Sequence, residues 1–175
     1  SAMGDKDVAR RTMTAANVPV VPGCDLLTSV AQAKEEAARI GYPLLIKAKA
    51  GGGGRGIRRV DSGEEVERAY LSASSEAQSA FGDGGVYMEK FLSPVKHIEV
   101  QLLADNYGNV VCLGERDCSV QRKNQKMIEE SPSPVITPQT RAKMMEVAAN
   151  AAKAAHYTGA GTIEFLYTRD GNFYF

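Results

Sequence analysis

Four consecutive glycines at residues 51–54, shortly after the apolar run 44–46 and Lys47, are suited to binding an anion. Glycine carries no Cβ, so successive backbone N–H groups can come close to phosphate oxygens. The ammonium of Lys47, at the end of a predicted strand, would complement the same charge. The spacing matches neither the P-loop pattern nor that of dinucleotide-binding folds. Together these residues predict a polyphosphate site, although the glycines alone would fit a hairpin loop equally well.

A carboxylate inside an apolar strand is the second feature. Glu164 interrupts the run 161–167, where a charge is costly unless a cation or hydrogen-bond donors meet it. Mg²⁺ prefers carboxylates together with phosphate oxygens and water. Glu164 is therefore a candidate magnesium ligand. The alternative is a glutamate on the solvated side of a half-buried strand.

Polar side chains also alternate along residues 97–102. His97, Glu99 and Gln101 share one face of this predicted strand, and its other face is apolar. Either water or a ligand must satisfy this polar row, and a solvated sheet face is the simpler interpretation. With two histidines in the chain, a zinc-type cluster is not expected.

Two further segments could contact a nucleotide. Residues 115–126 concentrate cations and amides, as binding of a triphosphate and a small anion would require, although a basic loop would look the same. This segment has no interleaved aromatic residues, which argues against binding of single-stranded nucleic acid. The backbone of residues 90–92, next to Glu89, is expected to expose unpaired N–H and C=O groups that could read an adenine edge. The alternative there is an ion pair on an exposed connector.

Periodicity, caps and turn residues predict the elements that position these groups. Predicted helices cover residues 5–17, 28–40, 62–81, which opens with a capping box, and 137–156. Predicted strands cover residues 44–46, 57–60, 86–88, 97–104, 110–115, 161–167 and 172–175. The result is an α+β fold with an N-terminal helix and linker at 1–20, a small α/β lid lobe at 21–92 and part of an antiparallel-sheet lobe at 93–175.

Composition excludes several classes of protein. The 175 residues carry 21 Lys and Arg against 21 Asp and Glu, so no overall field attracts nucleic acid or anionic lipid. No apolar run approaches the roughly 20 residues of a membrane span, and a cytoplasmic protein is expected. Three cysteines without C-x-x-C spacing predict reduced thiols. A first residue other than Met and a strand pattern at the last residues suggest a segment excised from a longer chain.

Taken together, the motifs resemble the biotin carboxylase family of ATP-grasp enzymes. The most diagnostic is Glu-Arg-Asp-Cys-Ser-Val-Gln-Arg at 115–122. The remaining motifs preserve the family's order and spacing over nearly the whole chain and lie at residues 4–6, 42–48, 51–54, 87–92, 97–101, 125–126 and 159–165.

The resemblance implies a MgATP-dependent ligase with an ATP-grasp fold. ATP and bicarbonate would give carboxyphosphate, and the CO₂ released from it would be captured by biotin on a biotin carboxyl carrier domain. A carboxyltransferase component of an acyl-CoA carboxylase, such as the acetyl-CoA enzyme of fatty acid biosynthesis, would be the next partner. Mg²⁺ or Mn²⁺ would be the metal, and the full-length protein is expected to be a homo-oligomer.

The resemblance also assigns site residues. Lys126 would face the γ-phosphate and bicarbonate as the catalytic cation, and Glu164 would be the first magnesium ligand. The residues expected to bind ATP are Lys6 and Lys47 at the phosphates, Gly53 and Gly54 in the flap, Glu89, Lys90, Phe91 and Leu92 at adenine, His97 and Gln121 at ribose, and Asn124.

The sequence departs from the family pattern in three ways. Asn124 replaces a common histidine, and Ala50 shortens the glycine run by one residue. The family's second magnesium carboxylate, its bicarbonate-binding arginine and its base would follow Phe175, so the chain by itself is expected to bind nucleotide at most. Two alternatives stay open, another ATP-grasp ligase such as a carbamoyl-phosphate synthetase half, and a non-catalytic nucleotide-binding fragment.

Overall fold

The computed structural model describes residues 6–50, 56–122 and 125–175, with side chains from Arg10 onward. The helices are α1 (Lys6–Ala15), α2 (Val30–Ile40), α3 (Val66–Phe81) and α4 (Pro138–Ala154). The strands are β1 (Leu44–Ala48), β2 (Ile57–Val60), β3 (Val86–Lys90), β4 (Val95–Ala104), β5 (Val110–Arg122), β6 (Gln125–Glu130), β7 (Gly159–Thr168) and β8 (Phe173–Tyr174). Both sheets are antiparallel, and the predicted α+β class is confirmed.

The chain forms two compact units. The first contains Val21–Leu92 together with the first residues of α1, and the second contains Arg10–Val20 and Ser93–Phe175. Among the described residues, no helix combines the length and hydrophobicity needed to span a membrane.

In the first unit, a three-stranded sheet of order β2-β1-β3 packs against α2 and α3. Leu44 and Ile46 on the central strand and Met88 on β3 are fully buried against helical alanines such as Ala37 and Ala73. Because alanine keeps the helix surface thin, both helices can lie close to the sheet. The buried strand that carries Lys47 is therefore rigid.

The ends of β1 and β2 approach each other tightly at Gly56. The backbone N–H of Ala48 donates to the Gly56 carbonyl oxygen at 2.8 Å. A Cβ added at Gly56 would meet the Ala48 Cβ at 2.6 Å, and Gly56 has a φ of +70°, a conformation that favours glycine. The structure thus fixes Gly56, two residues after the glycine run, while residues 51–55 lie outside the described residues.

Helix caps largely follow the predicted signals. The Ser29 hydroxyl accepts from the backbone N–H of Gln32, and Thr137 caps α4 with Pro138 at its first position. The predicted capping box at residues 62–65 is wrong. Ser62 makes no side-chain cap bond, and the Glu65 carboxylate instead accepts from the backbone N–H of Asp61 at 2.8 Å. With a short 3-10 turn at Gly63–Glu65, the backbone N–H that the Glu65 carboxylate binds is that of Asp61 rather than that of Ser62.

The second unit is built on a five-stranded sheet of order β6-β5-β4-β7-β8. Helix α4 packs on this sheet, and Val100 and Leu102 of β4 and Met144 of the helix are buried. Phe165 and Phe173 pack edge to face with ring centroids 5.3 Å apart. The other face presents the polar row predicted on β4.

Residues 115–122 form strand rather than the basic loop allowed by the sequence. Strand β5 continues to Arg122, and β6 pairs back along it with register shifts between Asp117 and Gln121. Three consecutive charged residues, Glu115, Arg116 and Asp117, are accommodated here because successive side chains of a strand point to opposite faces of the sheet. Extension of β5 brings Arg116 into line with β4.

A buried ion pair ties the covered face of the sheet to α4. The Glu115 carboxylate is 2% exposed. It accepts from Arg141 Nε at 2.7 Å and from the Ser133 backbone N–H at 3.2 Å. A buried carboxylate is costly without a cation, so the pair fixes the position of α4 on the sheet.

We expect Arg141→Met to lower the free energy of unfolding of the second unit by about 3 kcal/mol, because Glu115 would stay buried without its cation. Urea unfolding of the 175-residue chain measures the loss. The matched control is Lys143→Met on the same helix, which should change stability by less than about 0.5 kcal/mol because Lys143 is exposed. Equal losses in the two variants would contradict this account.

Candidate functional site

Three charged residues form a row across the open face of the five-stranded sheet. The antiparallel register places Glu99 of β4 directly opposite Arg116 of β5 on one side and Glu164 of β7 on the other. Directly opposed side chains of one sheet face lie close together, and like charges in such positions repel. The two glutamates therefore need a cation between them.

Lys126 of β6 supplies that cation. Its ammonium donates to Glu99 Oε2 and, at 2.5 Å, to Glu164 Oε1. Arg116 holds the other oxygen of Glu99 through Nη2 and through Nε, which lies 2.8 Å from Oε1. These four residues come from four different strands, and the two cations neutralise the two carboxylates. Lys126 and Glu164, which the sequence predicted as site residues, are in direct contact.

The two glutamates of this group differ sharply in burial. Glu99 is 4% exposed, whereas the side chain of Glu164 is 67% exposed. The expectation of a solvated sheet face is therefore wrong for Glu99, because protein cations rather than water satisfy it. Burial by itself would raise the pKa of Glu99, but hydrogen bonds from Lys126 and Arg116 outweigh it and hold that pKa below its usual value.

The same contacts act on the cations. Burial lowers the pKa of Lys126, but hydrogen bonds to Glu164 and Glu99 raise it by more, so the ammonium is charged throughout the physiological pH range. The hydrogen bond to Glu99 likewise raises the pKa of Arg116. Lys126 and Arg116 consequently carry two positive charges in contact with the carboxylates of Glu99 and Glu164 and, through Arg116, of Glu129.

The two residues predicted near ribose, His97 and Gln121, lie on β4 and β5, which also carry Glu99 and Arg116. His97 is exposed on β4, and its backbone N–H donates to Ser119 Oγ at 3.0 Å. Gln121 is half-buried, and its amide nitrogen donates to the Cys118 carbonyl oxygen at 3.0 Å. The Gln121 amide group therefore already has a partner within the protein, and the ribose contacts stay predictions.

A divalent cation fits this face best at Glu164. Ligand atoms of Glu99, Cys118 and Glu129 also lie within 4.8 Å of one another. However, both oxygens of Glu99 are occupied, and burial raises the pKa of the Cys118 thiol to about 11, so the thiolate is not available at neutral pH. Glu164 offers an exposed carboxylate oxygen of the kind that Mg²⁺ binds together with phosphate oxygens.

In the first unit, Lys47 forms an ion pair with a second predicted site residue. The Lys47 ammonium contacts Glu89 Oε2, and the two side chains are 25% and 18% exposed. The register pairs Leu45 with Glu89, so the two partners are offset by two residues across β1 and β3. A half-buried lysine on a central strand is held in place, as expected of a residue that presents charge to an anion.

The backbone that follows β3 differs from the expectation. The N–H of Lys90 donates to the Pro22 carbonyl oxygen at 2.7 Å, and that of Phe91 donates to the Pro43 carbonyl oxygen at 3.1 Å. The prediction of unpaired N–H groups is wrong at these two residues. Their partners are distant in sequence, and local signals do not reveal them.

The neighbouring side chains also have structural partners. Lys90 Nζ donates to the Tyr42 carbonyl oxygen at 2.7 Å, and the Arg59 guanidinium lies 4.6 Å from the centre of the Phe91 ring. Leu92 is half-buried. An adenine contact at residues 89–92 stays a prediction.

Several predicted site residues cannot be placed. Gly53, Gly54 and Asn124 lie outside the described residues, as does the side chain of Lys6. Conversely, sequence reasoning did not assign Arg116 or Glu99 to the site. Their signal was present in the alternation of 97–101 and in the charged run 115–122, but their pairing depends on the strand register.

Comparison with known proteins identifies the family. Residues 5–175 match the family described as carbamoyl-phosphate synthase L chain, ATP binding domain. The chain is 56% identical over 174 residues to a biotin carboxylase of Nostoc sp., covering 99% of this chain and 39% of that protein. It is 53% identical over 168 residues to biotin carboxylase 1 of Bacillus subtilis, covering 95% of this chain and 37% of that protein.

Solved structures agree. A biotin carboxylase from Campylobacter jejuni in complex with β,γ-ATP superposes with a TM-score of 0.92 at 52% identity, covering 98% of this chain and 39% of that one. The biotin carboxylase domain of Hydrogenobacter thermophilus 2-oxoglutarate carboxylase was solved as a dimer with MgADP, ADP and bicarbonate. It superposes with a TM-score of 0.90 at 50% identity, covering 99% of this chain and 38% of that one.

The chain spans about two fifths of the length of these relatives. The match nevertheless covers nearly every residue of the chain, and the β4 to β7 face that carries Lys126 and Glu164 lies within it. The chain belongs to the biotin carboxylase family of ATP-grasp proteins.

Proposed function

We propose that this chain forms the MgATP-binding part of a biotin carboxylase, which uses ATP and bicarbonate to carboxylate biotin on a carrier domain. The observation that carries the proposal is the position of Lys126, an ammonium held between Glu99 and Glu164 on the open face of the sheet. A carboxylate that can bind a metal and an ammonium that can bind phosphate are thus adjacent, as phosphoryl transfer requires.

The proposed reaction proceeds in two stages. An oxygen of bicarbonate attacks the γ-phosphorus of ATP, the bond to the β,γ-bridging oxygen breaks, and ADP leaves. Carboxyphosphate then breaks into CO₂ and phosphate, and N1′ of biotin forms a bond to CO₂ while its proton passes to the released phosphate. Positioning and charge neutralisation account for most catalysis of such transfers.

Four charged residues that the structure describes have roles in the proposal. Lys47 contacts phosphate oxygens of ATP, and Lys126 contacts the γ-phosphate and bicarbonate. Glu164 would hold Mg²⁺, which neutralises phosphate charge when it is bound. Glu99 keeps its contacts with Lys126 and Arg116. The closing flap at Gly53 and Gly54 and the phosphate contact of Lys6 belong to the proposal on sequence grounds alone.

Partners and location are proposed at the level of the family. Bicarbonate, a biotin carboxyl carrier domain and a carboxyltransferase component are the proposed partners, and a dimer is the proposed assembly. In support, the biotin carboxylase domain of H. thermophilus 2-oxoglutarate carboxylase was solved as a dimer with bicarbonate. A cytoplasmic location stays a prediction, because the relatives include both bacterial and chloroplastic proteins.

The first test concerns Lys47. We expect Lys47→Met to weaken binding of MgATP to the 175-residue chain by about tenfold or more, since a charge-assisted hydrogen bond contributes about 1.5 to 3 kcal/mol. Isothermal titration calorimetry measures the affinity. Lys34→Met, which removes an exposed lysine paired with Glu67, is the control and should bind as the parent does. Unchanged affinity in the Lys47 variant would remove this residue from the site.

The second test concerns Glu164. We expect the gain in nucleotide affinity that Mn²⁺ provides in the parent chain to be largely lost in Glu164→Gln, because the amide is a poor ligand for a hard cation. Titrations of ADP with and without Mn²⁺ give this gain directly. The control is Glu146→Gln, an exposed glutamate on α4, which should retain the full metal effect. An undiminished metal effect in the Glu164 variant would exclude Glu164 as a ligand.

A further inference from the structure

The two carboxylates that hold Lys126 are not equivalent. Both oxygens of Glu99 have protein partners, with Arg116 on Oε1 and Lys126 on Oε2. Glu164 is largely exposed, and among the described residues Lys126 is its one hydrogen-bond partner. Lys126 therefore has one fixed partner and one partner that is free to take another cation.

Arg116 is itself fixed within the sheet. Its Nη1 donates to Gln101 Oε1 at 3.1 Å, and its Nε lies 3.2 Å from Glu129 Oε2. The Gln101 amide nitrogen in turn donates to the Gly161 carbonyl oxygen at 2.9 Å. These contacts connect Arg116 to β4, β6 and, through Gln101, β7, so the guanidinium that orients Glu99 cannot move without breaking several bonds.

The unequal partners matter when a metal binds. A divalent cation on Glu164 would compete with the Lys126 ammonium for the same carboxylate, and the ammonium would keep only Glu99. Glu99 would then decide where the charge of Lys126 lies. Arg116 prevents the buried Glu99 carboxylate from turning to follow the lysine.

We propose that Glu99 is a positioning residue that anchors the Lys126 ammonium and that Arg116 orients Glu99 for this purpose. The proposal rests on the proposed function in one respect, namely that Lys126 contacts the γ-phosphate. Neither Glu99 nor Arg116 touches the nucleotide in this scheme. They act through Lys126.

Nuclear magnetic resonance of the lysine side chains tests the anchoring directly. In the 175-residue chain labelled with ¹⁵N-lysine, a hydrogen-bonded ammonium exchanges slowly with water and gives a side-chain signal, which Lys126→Arg identifies by its loss. We expect the Lys126 signal to persist in Glu164→Gln and to disappear in Glu99→Gln. The reverse result would make Glu164 the anchor and overturn the proposal.

A second pair of variants tests Arg116. Arg116→Met should abolish or shift the Lys126 signal, and Arg116→Lys should restore it in part by keeping a cation on Glu99. Arg122→Met removes an exposed arginine from the same strand and should leave the signal unchanged. Backbone amide spectra check that each variant is folded. If Glu99→Gln fails to fold, the Arg116 series decides, and an unchanged Lys126 signal in a folded Arg116→Met variant would refute the orienting role.

Nucleotide titrations supply a readout that a purely structural role would not move. If Glu99 positions Lys126 at the γ-phosphate, Glu99→Gln should lose the preference for MgATP over MgADP to the same extent as Lys126→Met, with less effect on MgADP. A folded Glu99→Gln variant that retains the parent's preference would overturn the proposal. If the parent binds neither nucleotide, the proposed function fails, whereas the lysine signals still decide whether Glu99 anchors Lys126.

Discussion

Repulsion between two glutamates is the constraint on which the candidate site depends. Glu99 and Glu164 are opposed in neighbouring strands of one sheet face, an arrangement that is unfavourable unless positive charge lies between them. Lys126 of β6 meets this requirement by contacting both carboxylates, and Arg116 of β5 pairs with Glu99 from its other side. The two glutamates also hold the Lys126 ammonium at the sheet surface, so the same electrostatic balance stabilises the strands and fixes the position of this cation.

On the opposite face of the sheet a carboxylate is also paired with a cation, but there the carboxylate is buried. The carboxylate of Glu115 is covered by α4 and paired with Arg141 of that helix. The Glu115 carboxylate is buried, whereas the Glu164 carboxylate pairs with Lys126 in contact with solvent. One sheet therefore carries an ion pair with a buried carboxylate on its covered face and one with an exposed carboxylate on its open face. The difference arises from solvent access rather than from residue type.

Much of the fold was readable from local signals. Alternation and turn residues placed the hairpin of β4 and β5, and the predicted helix starts at residues 28 and 137 lie within one residue of the observed caps, Ser29 and Thr137. The continuation of β5 to Arg122 was not anticipated, because its charges were interpreted as a loop and its partner β6 was not recognised. The hydrogen bonds from Lys90 and Phe91 to Pro22 and Pro43 were also not predicted, because the partners are distant in sequence.

By itself the sequence determined which functional groups the protein carries, namely a lysine beside a glycine run and a glutamate in an apolar strand. It also carried the motifs of the biotin carboxylase family. Residue types and spacing suffice for this because they reflect local conformation and motif order. Tertiary structure alone decided that Lys126 meets both glutamates, that Arg116 meets Glu99, and that Glu99 is the buried one of the two. These facts depend on strand order and register, which are set by contacts between segments far apart in the chain.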